Sequence, residues 1–430
     1  MAASVSHAAC NSSCATFQMK GKWTLLVFLC ATFVVYTIDR ALLGVLAIPI
    51  QRDTGMSDVQ FGVLNSAVFW AYAAVVPIAG WLGDRYNRGM IIGIASIVWS
   101  LMTVLAGRAC GFWSFLLLAS VSITVPQTFY APAAAGLIAS CHRETRGVAM
   151  GLHQAAFYVG WMASGFSVAT VLHLWDSWRA AYSLFGVVGF VLGCIFLFVT
   201  CRGEWNPQSE ALRKKPGFVE SFKVFFRCPS AVLASLGHVA FTFATFGYCA
   251  WGPKFVAKKF SVSPWAAGSG VMFCHFAAAF AAILVAGFLT DIVVRRHPGF
   301  RLMLQSAALV LAAPAFMFFG YSGSLMGAWC AAACIGIAKG AFEANSVNSV
   351  FDVIHPRFHA SAMGYVNVLS GVIGSTAAVF LGWMSQHGGT HGLEVGFAVV
   401  GSVLAASSVL TLSSLIFTFT RDRKRGLGND

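Results

Sequence analysis

Twelve apolar segments follow one another along the 430-residue chain, at 24–50, 60–83, 90–108, 112–140, 146–172, 180–201, 230–256, 264–290, 301–320, 324–352, 360–385 and 393–420. Each is long enough to cross a ~30 Å hydrocarbon layer as a helix of about 20 residues. Inside lipid every backbone N–H and C=O must find its partner within the protein, which a helix achieves within a single segment. Only 10% of the residues are charged against 58% hydrophobic. A soluble domain carries roughly a quarter charged residues, so a soluble fold has no surface to make from this composition. The fold class expected is therefore an all-α polytopic membrane protein, with the lipid bilayer as its principal surroundings.

The formal charge of +13 does not point to nucleic acid, because of where the basic residues stand. With the N-terminus placed inside, 20 of the 28 lie in inner segments, six in outer segments, and Arg40 and Lys339 within spans. That bias is the positive-inside pattern and puts both termini in the cytoplasm. The 12 cysteines are scattered, most of them within spans, and their spacing frames no disulfide scaffold and no zinc site.

The chain is written twice. Gly80-Trp81-Leu82-Gly83-Asp84-Arg85-Tyr86-Asn87-Arg88 joins the second and third spans, and Gly287-Phe288-Leu289-Thr290-Asp291 with Arg295-Arg296 follows the eighth. Each copy puts small residues and one Asp at a helix end, then basic residues in a tight turn. Small residues let helices approach closely, and the Arg residues hold the loop on its side of the membrane. Ala149-Met150-Gly151 recurs as Ala362-Met363-Gly364, at nearly the same offset. Two pseudo-symmetric six-helix halves follow: a cytoplasmic tail (1–22), an N-terminal half (23–201), a polar cytoplasmic linker (202–228), a C-terminal half (229–420) and a short cytoplasmic tail (421–430).

Charged side chains inside such spans cost roughly 2.5–3.5 kcal/mol each on insertion scales and mark functional sites by default. Asp39 and Arg40 sit near the middle of the first span, and Lys339 and Glu343 in the tenth, four residues apart on one helix face. Each pair either fixes the bundle as a buried ion pair or faces a watery pathway. With all four charged, a site made of them is neutral. The fourth span holds Gln127 and Tyr130 between Pro126 and Pro132, which kink the helix and free carbonyls. These polar groups bond either a ligand or a neighbouring helix. His153 and Gln154 stand in the fifth span and Asn345 in the tenth, beside an aromatic stripe in the seventh (Phe241, Phe243, Phe246, Tyr248, Trp251, after His238). No phosphate-binding loop, zinc-protease helix or nucleophile elbow is present in the sequence, so neither an enzyme nor ATP-driven transport within this chain is expected.

The duplicated loop, the twelve spans, the central linker and the repeated helix start resemble the major facilitator superfamily across the whole chain. Tyr36-x-x-Asp39-Arg40, Gly55-x-Ser57-Asp58-x-Gln60-x-Gly62 and Trp178-Arg179 resemble its organic anion:cation symporter and spinster-like branches, which carry sugar acids and other organic anions, or lysolipids. Those branches usually have an Arg and, seven residues later, a Glu in the fourth helix. Alignment on Pro132 puts Ser120 and Gln127 there, which removes the usual proton-handling carboxylate and its cation.

The resemblance implies a secondary transporter whose halves rock about a central site, with a small organic solute, expected to be an anion, as substrate and a proton as its candidate partner. Tyr36, Arg40, Gln127, Tyr130, His153, Gln154, Lys339 and Asn345 are the expected substrate contacts, and Asp39 and Glu343 the coupling groups. Gly80, Gly83, Asp84, Arg85, Arg88 and Asp291 are the gating residues. The alternatives are a uniporter or exchanger, a lysolipid-type transporter, and a non-transporting membrane sensor. The expected setting is the inner membrane of a bacterium, as a monomer without cofactor or metal.

Overall fold

A computed structural model describes residues 2–83, 86–142, 145–202 and 218–426. Among these there is no strand; the chain is a succession of helices joined by short turns. Ten apolar crossings are separate: α1 (Gly21–Val45), α2 (Asp58–Ala79), α3 (Arg88–Ala106), α4 (Phe112–Cys141), α5 (Arg146–Trp175), α6 (Trp178–Thr200), α7 (Pro229–Phe260), α8 (Pro264–Val293), α9 (Phe300–Tyr321) and α10 (Leu325–Phe351). The last apolar stretch, Ser361–Phe417, is 57 residues long, about twice what a bilayer needs. It breaks at Gly389, where φ is 55° and ψ −132°. That conformation is open to glycine alone, and it divides the stretch into α11 (361–388) and α12 (390–417). The described residues thus make twelve crossings.

All twelve expected spans are found, with the end of the first displaced. The first stops at Val45, and after a turn at Leu46 the chain continues as a short helix, Ala47–Thr54, capped by Gly55 at φ 67°. The linker ends in a helix, Phe218–Phe226, that turns Phe225 into the protein and leaves Phe222 and Phe226 exposed.

With an even number of crossings both chain ends lie at one end of the bundle, here called the terminal end; the turn at Gly389 lies at the far end. Within each half the same neighbours pack. α1 lies against α5 as α7 lies against α11, and α3 against α6 as α9 against α12. Small residues set these distances. A Cβ at Gly336 or Gly340 of α10 would stand 2.0 and 2.2 Å from the carbonyl oxygens of His275 and Ala279 in α8, so only glycine permits this crossing. The halves meet along α2–α11, α5–α8 and α1–α7.

The two prolines of α4 act differently from each other. Pro132 lies within the helix Thr124–Cys141, while a π-helical stretch, Leu116–Ser122, precedes Pro126. A wider turn is one way to absorb a proline's missing donor.

Candidate functional site

A cavity of about 340 Å³ lies between the halves. From the N-terminal half it is lined by α1, α2, α4 and α5, and from the C-terminal half by α7, α10 and α11. Arg40 reaches it from α1. Its guanidinium carbon lies 5.1, 5.4 and 5.5 Å from the ring centroids of Tyr36, Tyr72 and Phe69. Ring faces attract a cation, so this cage replaces part of the water an arginine loses in an apolar span. Its Nε and Nη2 are buried without a hydrogen-bond partner. Those donors have an unmet demand that an anion in the cavity would satisfy.

Lys339 enters from α10 and pairs with Glu343 one turn on. Glu343 also accepts a hydrogen bond from Tyr158 of α5 at 2.6 Å. That bond joins the halves, because Tyr158 belongs to one and Glu343 to the other. His238 of α7 lines the same wall, its ring 6.0 Å from that of Phe342. Arg40, Lys339 and Glu343 are the charged side chains of the lining, which gives it one net positive charge rather than the neutral set of four expected.

Asp39 accounts for the difference. Successive residues of a helix point about 100° apart, and Asp39 turns away from the cavity into its own half, where it is 7% exposed and accepts a hydrogen bond of 3.4 Å from Thr103 of α3. Of the expected substrate contacts, Tyr36, Arg40 and Lys339 line the cavity, and Gln127, Tyr130, His153, Gln154 and Asn345 do not; of the two expected coupling groups, Glu343 lines it. Tyr130 is fully buried, donates to the Leu29 carbonyl at 2.7 Å and lies 2.9 Å from His153 Nε2. His153 in turn stacks on Phe33, ring centroids 4.4 Å apart. This group ties α1, α4 and α5 together behind the cavity wall. Gln127 is buried, Gln154 is exposed where its neighbour His153 is buried, and Asn345 is buried in the C-terminal half. Ser120, at the place of the branches' arginine, donates to the Leu64 carbonyl of α2 at 2.9 Å. In this chain that position serves helix packing.

Beyond the cavity the far end is sealed. Lys254 of α7 reaches Asp58 of α2 and Gln51, each at 2.5 Å; Gln51 donates to Asp58 at 2.8 Å, and Ser385 of α11 donates to the other Asp58 oxygen at 2.5 Å. One carboxylate thus joins groups from both halves. Below it Ser66 donates to the Ser375 carbonyl at 2.6 Å, a Cβ at Gly62 would lie 2.4 Å from the Ala378 carbonyl, and Phe69 stacks on Phe246 at 3.5 Å. Among the described residues, the hydrogen bonds and ring contacts between the halves run from the far end as far as Phe69–Phe246 and Trp70–Val372 on one side and Tyr158 with Glu343 and Phe280 on the other.

At the terminal end, Arg88 donates to the carbonyls of Gly83 (3.2 Å) and Gly136 (3.1 Å), and Asn87 caps α3. Arg88 therefore staples the end of α2 to α4 within one half. Gly80 lies just past α2 in the same helix, which runs on to Gly83, and Asp291 is exposed at the end of α8. Asp84 and Arg85 lie outside the described residues.

Sequence reasoning missed most of the apolar lining. Phe33, Phe69, Tyr72, Phe157 and Phe342 are phenylalanines and tyrosines among many in apolar spans, and nothing local distinguishes them. The Asp58–Lys254 contact was hidden for another reason: each partner reads as an ordinary charge near a loop, and only the packing of the halves joins them.

The family model of the Major Facilitator Superfamily matches residues 28–379. The D-galactonate transporter of Escherichia coli O6:H1 is 23% identical over 428 residues, covering 92% of this chain and 96% of its own. Protein spinster homolog 1 of Xenopus tropicalis is 25% identical over 242 residues, 55% of this chain and 46% of the relative's. Among solved structures, that of a bacterial homolog to the human lysosomal transporter Spinster, in an inward-facing and unoccupied conformation, superposes with a TM-score of 0.81 at 22% identity, covering 94% of this chain and 98% of that one. The twelve crossings, the two like halves and the match over most of its length agree: the chain belongs to the Major Facilitator Superfamily, and it is an integral membrane transporter rather than an enzyme.

Proposed function

We propose that the protein carries an organic anion by alternating access, with Arg40 as the group that holds the negative charge. The observation that carries this reading is the Arg40 guanidinium: caged by three rings, lining the cavity between the halves, with two nitrogens lacking any partner. Lys339, the other cation of the lining, is already neutralised by Glu343, so Arg40 supplies the net charge. The D-galactonate relative is named for an anionic substrate, which agrees with this assignment. The positive-inside bias assigns the terminal end to the cytoplasm. The inter-half bonds gathered at the far end then support a cavity serviced from inside.

Glu343 is the favoured proton carrier. It lines the cavity, and its bond to Tyr158 spans the halves, so its protonation state bears on both the cation beside it and the junction. Asp39 has neither property. Binding of candidate anions to purified protein tests the assignment. Arg40→Gln should weaken an anion that binds the parent by about tenfold or more, since truncating one side of a desolvated charge contact typically costs about 2–5 kcal/mol. Unchanged anion affinity in a monodisperse Arg40→Gln protein would remove Arg40 from the site.

A further inference from the structure

The lining has a second character that the charge alone does not describe. Phe33, Phe69, Phe157, Phe241, Phe246 and Phe342 all face the cavity. From the N-terminal half the lining consists of such rings, Arg40 with its two tyrosines, and Ala131. No amide or aliphatic hydroxyl comes from that side; Gln127 is buried away from it. The uncharged polar side chains other than Tyr36 and Tyr72 are His238, Thr242, Thr245, Asn367 and Ser370, all on the opposite wall. Thr245 Oγ1 and Ser370 Oγ are buried without a partner.

A polyhydroxy acid does not suit this wall. Each of its hydroxyls needs partners once it leaves water, and those nearest the carboxylate would meet phenylalanine rings. A flat apolar body does suit it, since rings pack favourably edge-to-face or offset-stacked against other rings. The size agrees: an apolar cavity of about 150 Å³ takes one benzene ring, and this one is about 340 Å³, with room for a ring, a carboxylate and one further substituent.

The geometry points to an aromatic carboxylate as the substrate class, its carboxylate on Arg40, its ring among the phenylalanines, and a hydrogen-bonding substituent, where present, directed to Thr242, Thr245 and Ser370. This rests on the anion reading above and narrows it.

The test is a binding comparison on the full-length purified protein by calorimetry and thermal shift, with benzoate, phenylacetate, 4-hydroxyphenylacetate, the uncharged phenylacetamide and D-galactonate as probes. At least one of the three aryl carboxylates should bind about tenfold or more tighter than both D-galactonate and phenylacetamide, a difference of about 1.4 kcal/mol or more. That comparison uses the parent protein alone and needs no variant to fold. Arg40→Gln should then lose the preference for phenylacetate over phenylacetamide. If D-galactonate binds tighter than every aryl carboxylate and does so through Arg40, the aromatic class is wrong and the anion reading stands. If aryl carboxylates and phenylacetamide bind alike, and Arg40→Gln changes neither, the anion reading is wrong while the cavity still selects rings. Absence of binding by all three aryl carboxylates overturns the class outright.

Discussion

Two charged clusters sit in the cavity walls on different terms. Arg40 is accommodated by rings, and Lys339 by an anion. The second arrangement has a testable cost. Removing one partner of a buried pair strands the other, at about 3–5 kcal/mol in a dry site. The penalty here should be smaller, because the Glu343 side chain is 32% exposed. Glu343→Gln should therefore lower the thermal midpoint, and Glu343→Gln with Lys339→Gln should recover much of the loss, since no lone charge remains. A double variant as unstable as Glu343→Gln alone would mean that Tyr158, whose bond both variants disturb, carries the stability instead. At this scale the sequence was informative about charges and poor about everything around them. Arg40, Lys339 and Glu343 stand out because ionised groups are expensive in an apolar span. Asp39 stands out equally and faces elsewhere, because neighbours on a helix diverge by about 100°. Gln154 diverges from His153 in the same way. Polarity marks a residue as unusual without giving its direction.

Helix α2 carries the contacts that decide which way the cavity opens. It is joined to α7 and α11 through Asp58, Ser66, Phe69 and Trp70, and beyond Trp70 it carries no such bond among the described residues. Asp58 is the concentrated point: one carboxylate accepts from Lys254, Gln51 and Ser385. Asp58→Asn removes its charge and leaves Lys254, whose side chain is 3% exposed, without its counter-ion. The far end should then open more often, because a conformational equilibrium shifts by the difference in stabilisation between its two states. Spin-label distances across the far end, between cysteines introduced at Val59 and Gln386, should lengthen or broaden in Asp58→Asn. An unchanged distance distribution would show that the Gly62 and Ser66 contacts hold this end shut without the ion pair. The helix itself was plain from hydropathy, and its loop motif from resemblance. Its inter-half role was not, since hydropathy gives no information on which helix lies beside which.

The molecule as a whole is two like halves with a cavity between them. The doubled loop and the repeated Ala-Met-Gly made the halves legible, and apolar run length made the crossings legible, down to the break near Gly389 that separates the last two. The placement of the cavity follows from that symmetry; its lining does not. If the far-end seal is one of two alternating closures, fixing it must stop transport without abolishing binding. Val59→Cys and Gln386→Cys, in a background whose native cysteines are replaced, can be joined by a short reducible cross-linker, since the Val59 backbone N–H donates to the Gln386 side chain at 3.3 Å. Uptake into proteoliposomes of the anion found by the binding screen is the most direct measurement. The expected result is ligand binding retained in the cross-linked protein, uptake lost, and uptake restored on reduction. Full uptake by the fully cross-linked protein would contradict alternating access through this cavity.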